Sequence, residues 1–272
     1  MAIEFIAMMR DASTGPGGPV SVLAADPEYP ARIASGYEEA GFDWILIEQS
    51  PTSPDSFAIA SQVLMTTSRI GVLLSCPPGT VAPTVAARQY ATMDAFYPGR
   101  VGLHLRLEPD GTHRDPMAQR RSGEFLQILG HAWSSAAPFD YDGEFYRVKG
   151  SCSPVRPAAG RVPVYVTGGG GADQARARGA HVDVQVFGRE SPEALRARIA
   201  RARTASRGHG RPARFGVTLS SDPDQLGQEL PGYLAAGVSA ILIPAPGPEG
   251  DRPDYGAAIG LARAAAVREL VA

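Results

Sequence analysis

Short apolar runs alternate with longer stretches of helical period along the whole chain. The runs fall at residues 3–7, 44–48, 69–74, 101–105, 163–167, 182–187, 214–219 and 240–243. Apolar residues at consecutive positions, without the alternation of a half-exposed sheet, predict strands covered on both faces. Between them, residues 29–40, 55–66, 84–96, 117–134, 172–179, 192–207, 223–236 and 255–271 predict helices. Ser191-Pro192-Glu193 and Asp222-Pro223-Asp224 each read as an N-cap, a proline at the first helical position and an acid facing the helix dipole. Gly41, Gly99 and Gly237 stand where helices should stop. The segment Ala40-Gly41-Phe42-Asp43-Trp44-Ile45-Leu46-Ile47 is echoed by Ala236-Gly237-Val238-Ser239-Ala240-Ile241-Leu242-Ile243. Both read as a helix end, a tight turn and a buried strand.

Eight strand–helix pairs predict a closed (β/α)8 TIM barrel, with an open doubly wound sheet as the alternative. One interruption precedes strand five: residues 139–146 alternate around Asp142-Gly143 and predict a small inserted β-hairpin. No linker divides residues 1–272, which read as a single barrel domain. Residues 11–19 are rich in Gly and Pro and predict a loop.

Composition narrows the function classes. A net charge of −2 argues against nucleic acid or an anionic membrane as a partner. No apolar run approaches membrane-spanning length, and the start of the chain is too short in apolar residues for a signal peptide. Two distant cysteines, Cys76 and Cys152, fit a reducing compartment, so a cytoplasmic location is expected. The five histidines show no paired metal spacing, and no metal is expected.

The strongest local signal is Val164-Tyr165-Val166-Thr167-Gly168-Gly169-Gly170-Gly171-Ala172, a strand running into four glycines and then a helix. Such a run lets backbone N–H groups approach an oxyanion at a helix start. It reads as a phosphate cradle or as a flexible turn, and it does not complete a dinucleotide fingerprint. His104 and Arg106 lie two apart on the fourth barrel strand and share a face. Facing a barrel interior, they are costly unless they meet an anion, a substrate or each other. Cys76, at the tip of the third strand, is either a reactive thiol or a buried inert one.

Taken in order, several blocks resemble one family. They are Thr67-Ser68-Arg69-Ile70-Gly71-Val72-Leu73-Leu74, Ala82-Pro83-Thr84-Val85-Ala86-Ala87-Arg88-Gln89, Phe96-Tyr97-Pro98-Gly99-Arg100-Val101, residues 143–150, 163–171 and 211–219, His181-Val182-Asp183-Val184, and residues 233–243. This pattern is similar to the bacterial-luciferase-like flavin monooxygenases, most of all their alkanesulfonate monooxygenase branch. The resemblance implies a barrel that binds reduced FMN, supplied by a separate NAD(P)H-dependent flavin reductase. With molecular oxygen the flavin oxidises a small-molecule substrate, and the protein holds the flavin and excludes water. By position, Gly168, Gly169, Gly170 and Gly171 would hold the phosphate. His104, Ser75 and Cys76 would meet the flavin ring, with a cis Ser75–Cys76 peptide. His104, Arg106 and Ser220 would occupy the catalytic positions.

Departures from the sulfonate branch shape the expectation further. Arg10 stands at its histidine after strand one, Ser53 at its cysteine in the loop after strand two, and Thr218 and Ser220 at its strand-seven arginine and histidine. His104 replaces its asparagine, and Pro244-Ala245-Pro246 stands where a tyrosine is expected. The long excursion after strand seven is absent between Ser221 and Asp222. The substrate is therefore expected not to be an alkanesulfonate. Closure of the site would fall to residues 11–19, to residues 108–116, or to a neighbouring subunit of a homodimer or higher homo-oligomer; a dimer with residues 11–19 as a partial lid is favoured. Two rivals remain on the sequence alone: a hydride-transferring oxidoreductase using a deazaflavin, and a non-catalytic flavin-binding relative.

Overall fold

The computed structural model describes residues 3–9, 26–49, 53–107, 116–168, 181–206, 214–244 and 255–271. In chain order the elements are β1 (Glu4–Met9), α1 (Tyr29–Glu39), β2 (Trp44–Ile47), α2 (Ser56–Thr66), β3 (Gly71–Ser75), α3 (Pro83–Phe96), β4 (Val101–Arg106) and α4 (Pro116–Ser134). They continue with β5 (Phe139–Asp142), β6 (Arg147–Ser151), β7 (Val164–Thr167), β8 (Val184–Phe187), α5 (Pro192–Ser206), β9 (Arg214–Thr218), α6 (Pro223–Ala235), β10 (Ala240–Pro244) and α7 (Tyr255–Val271). Eight parallel strands form a closed barrel in the order β1, β10, β9, β8, β7, β4, β3, β2, and β5–β6 is a separate two-stranded sheet. This is the (β/α)8 TIM barrel the apolar runs predict, with the hairpin before the fifth barrel strand. The helix expected at residues 172–179 lies outside the described residues. No helix among those described is long and apolar enough to cross a membrane.

By internal contacts the chain divides into two compact units. The first comprises Met1–Leu74, Val186–Ala200 and Arg214–Ala272. In it β1 pairs with β10 and β2, and β9 pairs with β10. Strand residues such as Phe5, Ile45, Val217 and Ile241 are fully buried, because each strand is covered on both faces. The internal echo has a physical basis. Gly41 and Gly237 both take positive φ, 90° and 96°, and the next residue bonds back into the helix: Phe42 N–H to Tyr37 O, and Val238 N–H to Tyr233 O. Both are the same helix-stop motif, and each turns the chain straight into a buried strand. Helix starts follow the sequence as well. The Asp222 carboxylate accepts from the backbone N–H of Asp224 and Gln225, and the Ser191 hydroxyl accepts from Ala194.

The second unit comprises Ser75–Gln185 and Arg201–Ala213. Here β4 and β7 pair in parallel, with His104 opposite Tyr165 and Arg106 opposite Thr167. Helix α3 packs on α4, where Trp133 donates its ring N–H to Ala87 O at 2.9 Å. The hairpin departs from expectation. Its first strand lies where predicted, but the second begins at Arg147 rather than directly after Asp142-Gly143. The reason lies twenty residues upstream. The Glu124 carboxylate of α4 accepts the backbone N–H groups of Glu144, Phe145 and Tyr146 at 2.7–3.1 Å. Those three residues are thereby withheld from the ladder. Residues 143–146 become a loop closed by Gly143 N–H on Tyr146 O, and cross-strand pairing starts at Asp142 and Arg147.

Candidate active site

The second unit brings most of the sequence-predicted site residues together at the C-terminal ends of β3, β4 and β7. His104 is buried in β4 with 1% of its surface exposed. Its side chain shares a face with Arg106, and, across the parallel pairing, with Tyr165 and Thr167. Nε2 of His104 lies 2.9 Å from the Thr167 hydroxyl. Nδ1 is buried and has no hydrogen-bond partner among the described residues. Burial holds the imidazole in its neutral form and lowers its pKa to about 4. At neutral pH the ring therefore carries one proton and one lone pair, and one of its two nitrogens is unspent.

Arg106, at the end of β4, is half-buried, and desolvation lowers its pKa. Its pairing partner Thr167 closes the ladder, its carbonyl accepting Leu107 N–H at 3.0 Å. Ser75 and Cys76 are buried at the end of β3. The Ser75–Cys76 peptide is trans, against the cis bond implied by the resemblance, and no described peptide is cis. In the trans form Cys76 N–H meets the His104 carbonyl at 3.1 Å and continues the strand pairing past the end of β3. Burial pushes the Cys76 thiol up to about 12, so it stays protonated and is a poor nucleophile. Of the two readings of this cysteine, the inert one agrees with its surroundings.

Gly168 follows Thr167 with φ +88°, a conformation that suits glycine, and so begins the departure from β7. Gly169, Gly170 and Gly171 lie outside the described residues. Ser220 belongs to the first unit and is not among the groups gathered here. Its hydroxyl accepts Asp222 N–H at 3.1 Å, a local turn at the start of α6. Only residues 219–222 join β9 to α6, so the excursion missing from the sequence is absent from the fold as well.

Two residues of the site were not singled out from sequence. One is Thr167, the hydroxyl on His104. The other is Gln185 of β8, whose side-chain amide donates to Gly168 O at 2.8 Å and to Val166 O at 3.2 Å. A signal for Gln185 was present: an amide inside an otherwise apolar strand must find partners. A cavity of about 450 Å³ also lies in this unit, lined by Leu126, His131, Trp133, Arg161, Val164 and His181 among others. Val164 is the first residue of β7 and Thr167 the last, so this cavity borders the opposite end of the strand from the Thr167 hydroxyl.

A profile of the luciferase-like monooxygenase family matches residues 5–223, well over half of the chain. Among solved structures, a coenzyme F420 dependent tetrahydromethanopterin reductase from Methanopyrus kandleri is similar with a TM-score of 0.74. It is 13% identical, over 97% of this chain and 98% of that one. An F420-dependent secondary alcohol dehydrogenase, in complex with an F420-acetone adduct, has a TM-score of 0.72 at 16% identity, over 90% and 93%. An EDTA monooxygenase from Chelativorans sp. BNC1 has a TM-score of 0.68 at 18% identity, over 87% of this chain and 67% of that one. At these identities the likeness establishes the fold.

Proposed function

The chain belongs to the luciferase-like monooxygenase family, and from that premise we propose that it is a two-component, FMN-dependent monooxygenase. It would take reduced FMN from a separate NAD(P)H-dependent flavin reductase and oxidise a small organic substrate other than an alkanesulfonate. The observation that carries this reading is His104, a neutral imidazole held on one side by Thr167, its other nitrogen buried and without a partner among the described residues. A buried polar atom without a partner costs about 1–3 kcal/mol, and a bound ligand that supplies the partner recovers that cost. Gly168, leaving β7 with positive φ ahead of three more glycines, suits close backbone approach by a phosphate.

When bound, reduced FMN supplies the two electrons that activate oxygen. His104 would present an uncharged hydrogen-bonding group to the ring or the substrate, and Arg106 a half-buried positive charge. Ser75 and Cys76 would supply a closed, water-poor wall, and Gly168 to Gly171 would hold the phosphate. The missing sulfonate-branch residues and the short β9–α6 loop support a substrate of another class. That short loop also supports a homodimer in which a second copy helps to exclude water.

A second reading has its own observation. The chain spans nearly the whole length of two coenzyme F420-dependent neighbours but only two thirds of the EDTA monooxygenase. That agreement in length favours a deazaflavin-dependent hydride transfer. Anaerobic titration with reduced FMN and, separately, reduced coenzyme F420 distinguishes the two. Binding of FMN, together with oxygen uptake driven by a reductase and NAD(P)H, supports the monooxygenase. Binding of F420 alone, without oxygen uptake, overturns it in favour of the dehydrogenase-like reading.

A further inference from the structure

The exit of β7 is held from both neighbouring strands. Gln185 is the only polar residue of β8, between buried Val184 and Val186. Its amide places one nitrogen on two carbonyls, Gly168 O at 2.8 Å and Val166 O at 3.2 Å. Those carbonyls flank Thr167. The Thr167 carbonyl itself takes Leu107 N–H from the β4 side at 3.0 Å. Threonine is stiff about χ1, so a fixed backbone leaves its hydroxyl little freedom. That hydroxyl lies 2.9 Å from His104 Nε2, and the backbone of His104 is tied in turn to Cys76 N–H. The chain of contacts therefore runs from Gln185 through the Thr167 backbone to the Thr167 hydroxyl, and from there to one nitrogen of His104.

An amide used this way is not required by strand pairing. Parallel strands satisfy one another through backbone groups, and an apolar side chain at position 185 would match its neighbours in β8. The amide instead acts where regular pairing ends, at the residue that turns the chain into the glycine run. We propose that Gln185 is a positioning residue that acts through Thr167: it holds the Thr167 hydroxyl where that oxygen accepts His104 Nε2–H, which fixes the ring's orientation and tautomer and leaves the Nδ1 lone pair for a bound ligand. That this ligand is a flavin rests on the function proposed above; the positioning of His104 does not.

The test is nitrogen-15 NMR of the histidine rings in the full-length protein without ligand, with His104 assigned by its loss in His104→Asn. Ring nitrogen shifts report which of the two ring nitrogens carries the proton. Wild type is expected to show one His104 tautomer. Thr167→Val, which lacks the hydroxyl, and Gln185→Leu, which lacks the amide, are expected to show a mixture. Thr167→Ser should restore a single tautomer. Thermal unfolding establishes that each variant is folded; should Gln185→Leu fail, Gln185→Glu removes the same donors at nearly the same volume. In parallel, reduced FMN should bind the folded Thr167 and Gln185 variants about tenfold more weakly than wild type. A single unchanged His104 tautomer in the folded Thr167→Val and Gln185 variants would overturn the inference. Tautomer changes as expected, in a protein whose wild type binds no FMN, would uphold the positioning and refute only the flavin reading.

Discussion

The Asp94 carboxylate, buried in α3, accepts the backbone N–H of Ala158 at 2.7 Å, sixty-four residues further along the chain. Its other oxygen accepts Gly99 N–H at 3.0 Å, across the turn that leads from α3 into β4. One side chain therefore fixes both the entry to β4 and the loop that precedes β7, the two strands that carry His104 and Thr167.

Asp94→Ala is expected to destabilise the protein by about 2–4 kcal/mol, because two hydrogen bonds to a charged acceptor are lost and a buried space is left. Chemical denaturation measures this. Asp94→Asn, which keeps one acceptor oxygen, should lose less than half as much. Equal losses for the two variants would show that shape rather than acceptance matters at this position.

Glu38 gives a pH-dependent prediction. Its carboxylate accepts the N–H groups of Ile70, Arg69 and Ser68 and the Ser68 hydroxyl. Partial burial alone would raise its pKa, but these donors outweigh it and lower the pKa to about 2. The folded value lies below the unfolded one, so the stabilisation is complete above about pH 4.5 and is lost as pH falls toward 2. Discounted for solvent screening, it is worth about 1–2 kcal/mol. The stability gap between wild type and Glu38→Gln should be constant near neutrality and close between pH 4.5 and 2. A gap independent of pH would refute the assignment.

The strands were legible because burial on both faces leaves uninterrupted apolar runs, and the helix stops because Gly41, Gly99 and Gly237 adopt positive φ. Interactions decided by register or by distant side chains were not legible. Thr167 meets His104 only because β4 and β7 pair with His104 opposite Tyr165. The second hairpin strand starts late because Glu124, far upstream, claims three backbone donors. His104 and Arg106 were found as a pair on one face. The spacing alone did not reveal that burial, and not an anion, governs the charge of His104.

The Glu124 clamp makes Gly143 intolerant of a side chain. A Cβ there would run into the Glu124 carboxylate and come within 2.6 Å of Tyr141 Cε1. Gly143→Ala should displace Glu124 and release the N–H groups of residues 144–146, at about 2–3 kcal/mol. Hydrogen exchange should then speed up at Glu144, Phe145 and Tyr146 while the β4 and β7 amides stay protected. Unchanged exchange at those three residues would show that the loop does not depend on Glu124.

His104 provides the last prediction, which separates its burial from any bound ligand. In the unfolded chain its imidazole titrates near 6.5, and in the fold burial lowers this to about 4. Between these values the unfolded chain takes up a proton that the folded one refuses, so falling pH favours unfolding. The stability tied to the neutral ring is complete above pH 6.5 and is lost progressively toward pH 4, on the order of 2–3 kcal/mol for a group this buried. His104→Asn has no such ionisation, so its unfolding free energy should vary less between pH 6.5 and 4.5 than that of wild type. Glu38 acts in both proteins and mainly below that window, so it cancels in the comparison. The same low pKa means that no rate or binding profile should show an inflection from His104 between pH 6 and 8. Equal pH slopes for wild type and His104→Asn would mean that the ring takes up its proton as readily in the fold as in the unfolded chain. The neutral hydrogen-bonding role given to it would then fall.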